Sequence, residues 1–283
     1  MKRRLVQVVT ALIANGYLPG FLNGTIYQGP WKRACLPFLN CYSCPGALGA
    51  CPVGAMQSLA VSSQSLSLYV GGALLATGAL VGRLVCGWLC PFGLLQDLMA
   101  KLQRCKIHIP LAMLKVKYVV MLLTLLLPLL WVNPVTGLSA PYFCMYICPA
   151  GTLEAGLPLL LLNPPLRELA GSLFLWKVGL LLVILVAMVF VWRPFCRVLC
   201  PLGAFYGLCN RLSFYQLQIN QDNCSSCGQC GQACPAGLPV WEEPRSSECI
   251  RCLQCIDTCH RRAISWGPVS VKTGRDISGE ARL

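Results

Sequence analysis

Hydrophobic positions in this chain gather into long runs, and short basic or cysteine-rich stretches separate them. Lys2, Arg3 and Arg4 precede an apolar run that begins at Leu5, which predicts a first helix over residues 5–22. A secretory signal peptide is the competing reading. Asn15, Gly16, Pro19 and Gly20 leave no clear small-residue cleavage site, so the helix is expected to stay. Residues 23–56 are too rich in Gly, Pro and Cys for a plain span. Residues 57–82 carry no charge and are long enough to cross a bilayer, which takes ~20 residues. Arg83 closes that run. Lys115 and Lys117 lead into YVVMLLTLLLPLLWV, a third span at about 112–132 in which Pro128 can introduce a kink. The lysine stems can snorkel toward the inner surface. A fourth span covers 171–192 and ends at Arg193.

Two apolar segments do not read as spans. Within 94–106, Leu94, Leu95, Leu98 and Leu102 recur at helical spacing, with Asp97, Lys101 and Arg104 on other faces, as in an interfacial amphipathic helix. Residues 153–164 are apolar but short and end in Asn-Pro-Pro, a re-entrant or interfacial piece. Between the second and third spans lie Arg83, Lys101, Arg104, Lys106, Lys115 and Lys117. The opposite loops offer Lys32, Arg33 and Arg167, and Lys177 falls inside the last span. The positive-inside rule then predicts four spans with both termini in the cytoplasm. The expected fold is a mostly α membrane protein with about four transmembrane helices over residues 1–213. A small α+β domain at 214–268 and a polar tail at 269–283 complete it.

Composition agrees: 56% of residues are hydrophobic and the mean hydropathy is +0.62. The net charge of +13 is unevenly placed. From residue 214 onward seven Lys/Arg balance seven Asp/Glu, so residues 1–213, with sixteen basic and three acidic residues, hold the whole excess. That excess flanks apolar segments, as cytoplasmic loops facing anionic headgroups do. Membrane lipid is therefore an expected partner and nucleic acid is not.

Twenty cysteines change the picture most. Most fall in short-spaced runs, which read as metal ligation rather than a disulfide framework. C-x-x-C-H never occurs, so covalent c-type haem is excluded. Cys224, Cys227, Cys230 and Cys234 form C-x2-C-x2-C-x3-C followed by Pro235, and Cys249, Cys252, Cys255 and Cys259 repeat that spacing. In the two-cluster ferredoxin run the fourth cysteine ligates the other cluster. One 4Fe–4S cluster is thus expected on Cys224, Cys227, Cys230 and Cys259, a second on Cys249, Cys252, Cys255 and Cys234. His260 stands where proline is usual. Zinc is the competing reading, since two C-x-x-C pairs can build a four-cysteine site.

Near span ends another motif recurs. Arg83-x-x-Cys86-x-x-x-Cys90-Pro91-x-Gly93 returns 110 residues later with Arg193, Cys196, Cys200, Pro201 and Gly203. A third copy holds Cys144, Cys148, Pro149 and Gly151. Proline suits the first turn of a helix, which puts the preceding cysteine at the positive N-terminal end. Glycine there leaves room for bulk. Cys86, Cys90, Cys196 and Cys200 lie on one expected face and form a third, inner-edge cluster site. On the other face Cys41, Cys44, Cys51, Cys144 and Cys148 are five candidates for one four-ligand site, with Cys44 or Cys144 able to be structural. Alternatively Cys35 joins the first three, or a disulfide forms on an oxidising face. Cys105, Cys209 and His108 have no spaced partners.

These motifs resemble the NapH-like membrane polyferredoxins, a family that also includes MauN and relatives of NosR and CcoG. The shared features are the basic N-terminus, the C-x-x-x-C-P motifs at helix ends and the C-terminal two-cluster domain. The NCYSCP…CPVGA segment and the third C-x-x-x-C-P pair look like a subgroup beyond the basic NapH pattern. The resemblance implies electron passage between membrane quinol and partner redox proteins within a multi-subunit complex. No charged or histidine residue is placed mid-span to serve quinone as a proton acceptor. The combined expectation is a cell-membrane subunit with four 4Fe–4S clusters, its ferredoxin-like domain cytoplasmic, relaying electrons to a redox partner at the outer face. A quinol dehydrogenase subunit and a non-catalytic assembly or redox-sensing factor are the rivals.

Overall fold

The computed structural model describes residues 2–63, 65–103, 107, 109–132 and 139–269. Arg104, Cys105, Lys106, His108 and the expected tail beyond residue 269 lie outside the described residues. The first expected span is broken. α1 (Lys2–Ala14) stops where the Asn15 side chain donates back to the Ala11 carbonyl (3.1 Å) and across to Asn40 Oδ1 (2.8 Å). α2 (Leu18–Asn23) restarts with proline in its first turn. At 13 residues α1 is roughly 20 Å long, short of a ~30 Å hydrocarbon core.

The second expected span, 57–82, is also two helices. α3 (Pro52–Ser63) and α4 (Leu68–Val81) fold back on each other, with Gly71 facing the Met56 methyl. Ser62, Ser63, Ser65 and Ser67 supply the break, because serine competes with helix bonding and favours caps. Ser67 Oγ accepts from Val70 N (3.4 Å) as the α4 cap. α5 (Leu84–Trp88) and α6 (Pro91–Met99) carry the first motif copy, and α7 (Leu111–Leu130) follows. A wide π-type turn over Gly151–Gly156 runs into α8 (Leu157–Leu162), then α9 (Pro164–Glu168). The segment Gly151–Leu162 is apolar but too short to cross. α10 (Ser172–Phe190), α11 (Pro194–Val198) and α12 (Pro201–Cys209) complete the helical part.

Among the described residues, α7 and α10 are the two helices long and apolar enough to cross a membrane. Their outer faces are bare: Val119, Leu122, Leu175, Val183 and Val186 are all exposed. An apolar surface of that extent requires an apolar surrounding.

In the C-terminal part β1 (Tyr215–Ile219) pairs antiparallel with β2 (Ile264–Pro268), Leu217 opposite Trp266. Two short helices, α13 (Gln229–Gln232) and α14 (Gln254–Thr258), lie between them in sequence. Leu217, Val240, Cys255 and Ile264 form this domain's small core.

Two charged residues depart from expectation. Lys117 does not snorkel: it is fully buried and ion-pairs with Glu248 of the C-terminal domain. Asp97 is not on a solvated face but buried, held by Arg193 (2.6 Å) and Arg3 (3.0 Å). Both pairs pin the membrane helices to their surroundings, which hydropathy alone cannot signal.

Candidate iron–sulfur centres

The two outer copies of the motif fold into matching halves. Cys90 caps α6 and Cys200 caps α12, each followed by proline, and their sulfurs accept from Gly93 N and Gly203 N at 3.4 Å. The helix therefore aims its free first-turn N–H groups and dipole at the sulfur. The arginines cross over. Arg83 donates to the Cys196 carbonyl (3.1 Å), and Arg193 donates to the Cys86 carbonyl (2.8 Å). A Cβ on Gly93 would lie 2.9 Å from the Cys86 carbonyl oxygen, and one on Gly203 2.6 Å from that of Cys196. The glycines thus make room for a crossing carbonyl and guanidinium rather than for a cofactor.

Cys86, Cys90, Cys196 and Cys200 are all buried and lie within electrostatic reach of one another. Gln96 Nε2 donates to Cys196 Sγ (2.8 Å), a neutral donor of the kind that tunes a thiolate-bound centre. Its counterpart 110 residues on, Tyr206, instead donates to the Pro37 carbonyl (2.8 Å). Sequence reading missed both, although the repeat register places each three residues past its motif glycine.

In the C-terminal domain, Cys224, Cys227, Cys230 and Cys259 line one cavity of about 220 Å³, together with Trp241 and His260. Cys249, Cys252, Cys255 and Cys234 lie within electrostatic reach of each other. Burial pushes the Cys86 and Cys249 thiols up to about 11. Iron binding must displace those protons, because the thiolate is the ligand.

The C-terminal domain is clamped onto the first motif copy by the loop between Cys249 and Cys252. Trp88 Nε1 donates to the Arg251 carbonyl (3.0 Å), and a Cβ on Gly87 would overlap the Ile250 carbonyl oxygen. Arg251 reaches back to the carbonyls of Val81 (2.8 Å) and Asn210 (2.8 Å). Ile250, next to Cys249 in sequence, thus packs on Gly87, next to Cys86.

On the far side of the motif pair, a cavity of about 360 Å³ is lined by Cys41, Cys51, Cys144 and Cys148. Of the five candidates, Cys44 stands outside it, in a turn where its N–H donates to the Cys41 carbonyl (3.1 Å). Cys35 pairs by a parallel bridge with Ala50 and does not line the cavity either. Cys209 packs against Gly78, apart from every cysteine set. Glu154 Oε2 accepts from Cys41 N (2.7 Å), and Lys177 Nζ donates to the Cys144 carbonyl (3.2 Å). Lys177, which the sequence placed inside the last span, thus stands at the cavity wall. Cys51 directly precedes α3, and Cys148 accepts from Gly151 N (3.5 Å) at the start of the helical segment that follows it. Gln57 bridges Cys144 N (3.2 Å) to the Thr124 carbonyl (3.3 Å), and Thr124 is only about 10 Å along α7 from Lys117. Segment 37–39 fills the space toward the motif pair, with the Leu39 carbonyl 3.9 Å from Cys90 Sγ.

Among the described residues no three His, Cys, Asp or Glu side chains converge as a single metal ion requires. The Cys224 set and the far set instead line cavities wider than a tetrahedral zinc site, whose sulfurs sit ~2.3 Å from the metal. Cysteine-only donors with N–H groups aimed at sulfur fit a cluster.

Comparison with known proteins agrees. A family model described as a 4Fe-4S binding domain matches residues 64–110, 118–157 and 172–214, one C-x-x-x-C-P copy in each. A second model of the same description matches 217–239, within the C-terminal domain. An uncharacterised protein of Methanocaldococcus jannaschii is 32% identical over 197 residues, 66% of this chain and 73% of that protein. The ferredoxin-type protein NapH of Escherichia coli is 27% identical over 265 residues, 84% of this chain and 83% of its own. The putative electron transport protein YccM of Escherichia coli is 27% identical over 236 residues, 76% and 62%. No solved structure matches.

Fold and cysteine sets define a ferredoxin-type electron transport protein that binds 4Fe–4S clusters. More narrowly, the chain belongs to the NapH-like family of membrane polyferredoxins.

Proposed function

We propose that this chain is a membrane-integral electron-transfer subunit holding four 4Fe–4S clusters in series, with its C-terminal domain in the cytoplasm. When bound, the clusters supply one-electron transfer at potentials set by their surroundings. The ligand sets, in order, are Cys224, Cys227, Cys230 and Cys259; Cys234, Cys249, Cys252 and Cys255; Cys86, Cys90, Cys196 and Cys200; and Cys41, Cys51, Cys144 and Cys148. The observation that supports this reading is the contact that joins each of the last three sets to the next. Ile250 against Gly87 joins the second set to the third, and Leu39 against Cys90 joins the third to the fourth. Buried Phe38, Leu39, Phe92 and Phe195 keep water from the last two sets. Crossed arginines hold the third set's backbone, and Gln96 donates to its sulfur.

Iron and sulfide quantification with an EPR redox titration tests this, with about sixteen irons per chain expected. Finding only two clusters would leave the C-terminal domain intact and refute the relay. Within the far set the variants separate: Cys51→Ser is expected to remove about four irons, and Cys44→Ser none. Equal iron loss in both would undo the choice of ligands.

A second reading, reduction or oxidation of a quinone, draws on the far cavity's link through Gln57 to Thr124 of α7 and on Lys177 of α10 at its wall. Both helices are long and apolar enough to cross a membrane, where a quinone dissolves. Purified protein whose clusters do not respond to any quinone analogue would exclude it.

A further inference from the structure

A different cavity, of about 460 Å³, opens where the start of α1, the end of α6, the residues after α10 and segment 231–237 of the C-terminal domain meet. Arg3, Arg4, Lys101 and Arg197 line it, and Asp97 is the one carboxylate among its lining residues. Asp97 is already committed, its Oδ1 and Oδ2 bound by Arg193 (2.8 and 2.6 Å) and Oδ2 also by Arg3 (3.0 Å). The remaining guanidinium groups are short of acceptors. Arg197 is only 5% exposed, and its Nε has no hydrogen-bond partner; nor has the buried Nη1 of Arg3. A buried N–H without an acceptor is destabilising, and more so when the group is charged.

We infer that this cavity binds a phosphate-bearing anion, with Arg3 and Arg197 donating to its oxygens and Arg4 and Lys101 closing the mouth. A phosphate offers several acceptor oxygens to the guanidinium fork, the geometry arginine matches best. The bound anion bridges the N-terminal helix to the Gly231–Pro235 backbone of the C-terminal domain, which shares the cavity wall. Two sources carry that chemistry. A phospholipid headgroup fits the position beside Trp192, just past the end of α10, where interfacial aromatic residues sit. Free inorganic phosphate fits the same oxygens.

The test uses the full chain in detergent. Native mass spectrometry follows retention of phosphatidylglycerol against phosphatidylcholine, and thermal melting follows added inorganic phosphate against chloride. The wild type is expected to hold phosphatidylglycerol about tenfold better, and Arg197→Gln to lose that preference. Because Arg197 is buried, the double variant Arg4→Gln with Lys101→Gln, both exposed, provides the same test without disturbing the core. A melting rise with phosphate, absent in the variants, without lipid retention assigns the site to the free anion. No lipid preference and no phosphate effect in the wild type overturns the inference. So does a preference that survives in both variants.

Discussion

Replacing Cys86 by serine is expected to strip the third ligand set of its iron, so that content falls from about sixteen to about twelve per chain while the ferredoxin-type EPR signals persist. Cys196→Ser should give the same result, although the two positions are 110 residues apart, because each motif copy contributes only two of four thiolates. The consequence for function exceeds the loss of a quarter of the iron. Ile250 on one side and Leu39 on the other both abut this motif pair. With it empty, chemical reduction of the C-terminal domain should no longer reduce the far set. Freeze-quenched EPR after dithionite pulse resolves this: a far set that still follows the C-terminal domain at the wild-type rate would show that electrons bypass the motif pair.

Arg193→Ala carries the second large effect. Arg193 is fully buried, forks onto both oxygens of Asp97 and donates to the Cys86 carbonyl, in a left-handed backbone conformation (φ 49°). Removal leaves a buried carboxylate with only Arg3 and a carbonyl with no donor. Breaking one partner of a buried charge pair costs about 3–5 kcal/mol, which for a chain of this size lowers the melting midpoint by about 10 °C. Arg193→Lys keeps the charge but cannot reproduce the fork, so it should recover less than half of that loss. If alanine melts within a degree or two of wild type, the crossed-arginine brace is dispensable.

The cysteine spacing made the motif repeats legible, and the structure brings Cys86, Cys90, Cys196 and Cys200 within electrostatic reach of one another; short local intervals mark each half, not the meeting of the two. Family and cofactor followed from the same residues. Helix breaks were less legible: residues 57–82 contain no charge, and only the serines mark where α3 gives way to α4. The placing of residues 23–56 could not be read, since hydropathy treats them as a loop and cannot show Cys41 and Cys51 lining one cavity with Cys144 and Cys148. Long-range ion pairs were equally hidden. Lys117 with Glu248 and Asp97 with Arg193 join residues more than 90 positions apart, and each alone looks like an ordinary surface charge. Gln96 could have been found by asking what occupies equivalent positions in the two repeats.

The crossed halves also impose an order on biosynthesis. Arg83 and the first two cysteines of the motif pair leave the ribosome more than 100 residues before Cys196 and Cys200, and Cys41 and Cys51 precede Cys144 and Cys148 by more than 90. On the proposed ligand sets, neither cluster can be held from one half alone. Until α10 has been inserted and α12 has folded back, the nascent chain carries buried-type thiols and unpaired arginines with no partner. Iron loading of the membrane part is therefore a late event in the life of the chain, and it doubles as a check that the whole helical region has been inserted in the right arrangement.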